Sequence, residues 1–134
     1  MVDKYIEGLV REVVNAKVGV WQTYTPTVSA SGGGTLTTVT ATGQFKEVDG
    51  LVFGQATITV TDIGTGTGTT QFTPPTDIDS AWLHLGTYRE SNLAGTLGSL
   101  VRSGTNLVNI ARYDNAAVMA NGAVFSCSFM YRNG

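Results

Sequence analysis

The hydrophobic pattern changes period at Trp21. Ahead of it, Val2, Ile6, Leu9, Val13, Ala16 and Val20 are spaced alternately by four and three. That spacing predicts an α-helix over 1–20 with a heptad seam, of the kind that meets copies of itself. Asp3 suits the N-cap, Glu7 and Arg11 an i,i+4 pair, and Lys17 and Gly19 the helix end. Val10 and Val14 widen the stripe, so docking of a single amphipathic helix on its own domain is the alternative.

After Trp21 the chain alternates in twos between glycine-rich turns. Asp49-Gly50 predicts a two-residue type I′ turn between Gln44–Val48 and Leu51–Thr61. The register follows: Val48 opposes Leu51, Glu47 opposes Val52, and Phe45 opposes Gly54. One face then carries Val39, Ala41, Phe45, Val52, Ala56, Ile58 and Val60 and is the core face. The other is polar except near the turn, where Val48, Leu51 and Phe53 form an apolar patch. Such a patch is expected to be an interface between copies or to lie under a second layer of the same domain. Further strands are predicted at Val28–Ser31, Leu36–Thr42, Ala81–Tyr88, Leu97–Arg102, Asn106–Tyr113 and Val124–Tyr131. Many short strands with frequent turns indicate a sandwich or barrel over 21–134. Thr61–Thr70, with Gly64, Gly66 and Gly68, reads as a flexible surface loop. No helix follows it, so it lacks the context of a phosphate loop.

Composition narrows the function. Charged residues are 13% of the chain and the net charge is −2, so no basic patch is available for nucleic acid. No apolar run approaches the ~18 residues of a membrane span, and no signal peptide opens the chain. Low surface charge also suggests that a partner covers much of the surface. A single cysteine, Cys127, alternates with Phe125 and Phe129 and reads as a buried structural thiol. The one histidine, His84, is expected to be structural, and Asp77 and Asp79 to serve a turn. With no metal-ligand spacing and no nucleophile elbow, neither an enzyme nor a cofactor is expected.

Three segments resemble a β domain of bacteriophage virion fibres. Trp21-Gln22-Thr23-Tyr24-Thr25-Pro26-Thr27-Val28, followed by Ser29-Ala30-Ser31-Gly32-Gly33, resembles its opening. Gly43–Val52 resembles its central hairpin. Tyr113-Asp114-Asn115 and Gly122–Phe125 through Met130-Tyr131-Arg132 resemble its closing strands. The resemblance implies a mainly β chain: a jelly-roll-like antiparallel β-sandwich, similar in layout to tumour-necrosis-factor-like heads, with a short coiled-coil-like N-terminal helix. It further implies a homotrimer at the tip of a tail fibre or head fibre, in contact with other fibre or capsid proteins. Such heads bind a host-surface glycan or protein without catalysis. In that setting the helix seam (Val2, Ile6, Leu9, Val13, Ala16, Val20) and the patch (Val48, Leu51, Phe53) would be trimer contacts. Trp82, Tyr88 and Tyr113, with Asp114 and Asn115, are the candidate receptor contacts, since aromatic rings stack on sugars. A purely structural trimerisation or decoration module is the alternative. A glycan-cleaving tip would need two acids set across a groove.

Overall fold

The computed structural model describes residues 19–134 apart from positions 94, 115 and 117. The helical expectation for Val2, Ile6, Leu9, Val13 and Ala16, and the candidate Asn115, lie outside the described residues. Val20 is described: it is irregular and not helical, and it is 67% exposed in the single chain.

The chain forms β1 (Gln22–Tyr24), β2 (Val28–Ala30), β3 (Thr38–Val48), β4 (Leu51–Asp62), β5 (Thr70–Phe72), β6 (His84–Glu90), β7 (Leu97–Ser103), β8 (Leu107–Arg112) and β9 (Ala123–Arg132). All pair antiparallel in one sheet of order β1-β3-β4-β9-β6-β7-β8-β5-β2. The central hairpin has the register expected of its turn, with Val48 opposite Leu51, Glu47 opposite Val52 and Phe45 opposite Gly54. Asp49 at φ 50° and Gly50 at φ 82° supply the two positive angles of the type I′ turn. The hairpin is long because regular alternation continues from Thr38 to Asp62 with only one register shift, at Thr38/Val39.

The sheet curls until its two halves face each other. Phe72 on β5 and Phe129 on β9 lie four places apart in the strand order. In a flat sheet that separation would be ~19 Å at ~4.8 Å per strand. Their ring centroids are 6.2 Å apart. Phe129 also stacks on Tyr131 at 6.0 Å, and Tyr88 meets Phe125 edge-on at 5.7 Å. These rings, with Val52, Ile58, Val60, Leu100, Val108 and Ile110, fill the interior between the halves. Gly54 makes room for Phe129: a Cβ there would sit 2.2 Å from its ring.

The two edges of the sheet, β1 and β2, are joined by only Thr25-Pro26-Thr27. A segment that short holds the open edges close together, so the curled sheet nearly closes on itself. The described residues thus form an antiparallel β-rich fold of sandwich character, built from one continuous sheet.

The glycine-rich segments have a different role from the expected free loop. Gly32 N–H donates to the Thr67 carbonyl (2.8 Å), Thr67 N–H to Gly33 (3.1 Å) and Thr65 N–H to Thr35 (3.1 Å). Two loops, after β2 and after β4, are therefore hydrogen-bonded to each other. Gly34 permits the contact, because a Cβ there would lie 2.0 Å from the Thr65 carbonyl oxygen.

Candidate functional site

The sequence candidates separate by depth. Tyr88 points inward, is 2% exposed and packs on Phe125; that corrects its assignment as a surface contact. It alternates with Thr87 and Arg89, and in a half-buried strand only one of the two faces meets solvent. Trp82 is half-buried against the core in the turn that precedes β6. Tyr113 is the opposite case, 87% exposed just after β8.

Tyr113 is held by its neighbours. The Arg112 guanidinium lies 5.9 Å from its ring centroid, and Arg112 Nη2 donates to Asp114 at 3.0 Å. The Asp114 carboxylate in turn accepts the Ala116 N–H at 3.1 Å. A cation over a ring and a local side-chain cap leave the aromatic presented rather than loose. The ladder between β7 and β8 ends at Gly98 opposite Arg112. Leu97 and Tyr113 are the residues next beyond that pair, and both are largely exposed.

Leu97 also lines a shallow depression of about 340 Å³, together with Thr87, Arg89, Ser126 and Ser128. Strand pairing brings these together: Thr87 is opposite Ser128, Arg89 opposite Ser126, and Leu97 opposite Arg89. None of these polar groups carries negative charge. The cluster offers three hydroxyls and a guanidinium beside exposed leucine and tyrosine side chains. That mixture can hydrogen-bond hydroxyl, carbonyl or carboxylate groups while a flat apolar surface packs on the ring.

A second cleft, of about 620 Å³, contains Asp77, Asp79, Asn106 and Asn133. Its acids are engaged in structure. Asp77 accepts Asn106 Nδ2 at 3.0 Å; Asp79 accepts the Ala81 N–H at 2.9 Å and Arg132 Nε at 2.7 Å. The Ala81 amide first, and then Arg132, hold the Asp79 carboxyl below the usual range. Asp79 thus serves the turn expected of it, whereas Asp77 links instead to Asn106 on a distant stretch of chain. Among the described residues no group of three or more His, Cys, Asp or Glu is placed to hold a metal. His84, expected to be structural, is exposed at the start of β6. Cys127 is buried, as its alternation with Phe125 and Phe129 implied, and burial pushes its thiol up to about 12, where it is inert.

One residue beside the site went unnoticed in the sequence. Glu90 is 3% exposed, and its carboxylate accepts the N–H groups of Asn92 (2.8 Å), Leu93 (2.9 Å) and Val124 (3.1 Å). It ties the loop after β6 to β9. Its place two residues after Tyr88 was the available signal, because alternation sends both side chains inward.

Comparison with protein-family models, with curated proteins and with solved structures gives no match, so the functional reading rests on the residues themselves.

Proposed function

We propose that the chain is a non-enzymatic head domain of a bacteriophage virion fibre, of the jelly-roll-like class, that assembles with copies of itself and binds a host-surface glycan or protein. The observation that carries the binding role is Tyr113, 87% exposed yet braced by Arg112, one residue beyond the end of the β7–β8 ladder, where Leu97 lines the hydroxyl-rich depression. A braced, exposed aromatic offers rigid contact area, and side chains of this kind concentrate binding energy at interfaces. The receptor contacts are Tyr113, Leu97, Arg89 and Thr87. In this reading the partners are the receptor and neighbouring fibre or capsid proteins; nucleic acid, membrane insertion and a cofactor have no part.

The test is a glycan array and a host-cell adsorption assay with the wild type and with Tyr113→Ala. Binding by the wild type that drops at least tenfold in the variant supports the reading. A wild type that binds neither glycans nor host cells leaves the structural module, for which the exposed apolar side chains at the hairpin end of the sheet are the favouring observation.

A further inference from the structure

The outer face of the sheet has two regions, one apolar and one uncharged. At the hairpin end, cross-strand pairing sets Lys46 opposite Phe53 and Phe53 opposite Met130; Val48 faces Leu51 one row further out. Trp21 precedes β1 and its ring lies 5.3 Å from the Lys46 ammonium. Val20, Trp21 and Met130 are 67%, 50% and 40% exposed, and Val48, Leu51 and Phe53 are half-buried. Taking ~250 Å² for a whole Trp side chain, Trp21 alone leaves roughly 125 Å² uncovered. The two cations of this region are already engaged, Lys46 over Trp21 and Arg132 with Asp79.

Next to this band come rows without charge. Thr23, Gln44, Gln55 and Ser128 are successive partners across β1, β3, β4 and β9, and Thr42, Thr57 and Ser126 form the row beyond. A solvated sheet face ordinarily carries lysine and glutamate, which block edge and face association. Here the outward positions are hydroxyl and amide groups that can be buried at little cost once paired.

We propose that this face, from the Trp21–Phe53–Met130 band across the Gln44–Gln55 row, is where a second copy of the chain packs. The proposal rests on the self-assembly part of the function proposed above and specifies its contact surface. The size of the face selects the occupant. Four strands at ~4.8 Å and nine residues of β4 at ~3.4 Å give a footprint on the order of 600 Å². A standard-size interface buries about 800 Å² per partner and the lower bound is about 500 Å², so the face lies between the two. The alternative occupant is the chain's own residues 1–18. As a helix they would be ~27 Å long and ~10 Å wide, enough for the apolar band but not for the uncharged rows as well. A second copy covers both. Moreover, Gly19, which follows the heptad-spaced residues Val2 to Ala16 in the sequence, lies against Glu47 of β3 at this end of the sheet. Pairing of those residues between copies would bring two such bands together.

The experiment measures the solution mass of the full chain over a dilution series, with Gln55→Arg, Met130→Lys and, as a control in the exposed β7–β8 turn, Thr105→Arg. Gln55, Met130 and Thr105 are all exposed in the single chain, so the isolated fold tolerates the changes. The expected result is a multi-chain wild type and control, with the dissociation constant raised at least 100-fold in each of the other two. Hydroxyl-radical labelling of the wild type gives an independent readout that requires no variant: Trp21 and Met130 are protected while Tyr113 labels freely. A multi-chain wild type whose two face variants assemble equally well, or whose Trp21 and Met130 label as fast as Tyr113, overturns this surface and leaves self-assembly standing. A wild type that is one chain at micromolar concentration overturns both.

Discussion

Glu90 gives the sharpest test of how the candidate site is held. Glu90→Gln preserves shape and volume and changes only charge and acceptor count. The native carboxylate accepts the N–H groups of Asn92, Leu93 and Val124 with 3% of the residue exposed. Its Oε1 atom serves all three and Oε2 serves Leu93 again. The glutamine amide keeps one oxygen and turns an NH2 group toward backbone donors. A hydrogen bond to a charged group contributes ~1.5–3 kcal/mol and a neutral one ~0.5–1.5 kcal/mol, so converting three of them costs ~3 kcal/mol. With an unfolding entropy of ~2.1 cal/mol/K per residue over 134 residues, the melting temperature falls by roughly 10 °C. Thermal unfolding followed by near-ultraviolet circular dichroism measures this. Amide exchange should locate it, with the Leu93 and Val124 N–H groups losing protection before those in the centre of β4. A variant within ~0.5 kcal/mol of wild type, as surface substitutions are, would show that the carboxylate does not anchor the loop.

Gly54→Ala places a methyl 2.2 Å from the Phe129 ring, which Phe72 and Tyr131 pin in turn; we expect a loss of ~1–3 kcal/mol in denaturant unfolding. Gly50→Ala strains a residue at φ 82° and should cost ~1 kcal/mol in the same assay, without altering the pairing register. Cys127 stays protonated in the fold up to about 12, whereas in the unfolded chain it ionises near 9.0. Between those values the unfolded state binds fewer protons, so stability falls as pH rises, by roughly 1 kcal/mol per pH unit, and Cys127→Ala should flatten that slope. Native Cys127 should also resist iodoacetamide and react only on unfolding. Tyr113→Ala, at 87% exposure, should leave the melting temperature within about 1 °C while reducing receptor binding; a large loss of stability would mean that the ring packs on something.

Local features were legible in the sequence because their causes are local. Asp49-Gly50 fixes two positive φ angles, and those angles alone set the pairing of Val48 with Leu51. Strict alternation in β4 and β9 assigned Val52, Ile58, Phe125 and Cys127 to the interior, since successive strand residues face opposite ways. The same rule, applied to Tyr88 and Glu90, places both inside, but the aromatic chemistry of Tyr88 points to a surface contact, and Glu90 carries no local signal other than that parity.

Other features depended on which strands become neighbours. No local pattern says that β9 inserts between β4 and β6, or that a curl brings Phe72 against Phe129. Both follow from burying one face of a single sheet. Only that arrangement gathers Thr87, Arg89, Leu97, Ser126 and Ser128 into one depression, although they lie in three separated stretches of chain. Only it packs two glycine-rich loops against each other, where each in isolation reads as free. The sequence by itself determined the turn, the strand alternation and the inward residues, because steric and solvation effects act between adjacent residues. The tertiary structure decided sheet order, the site and the exposed face of Trp21, Phe53 and Met130, because those depend on contacts between residues far apart in the chain.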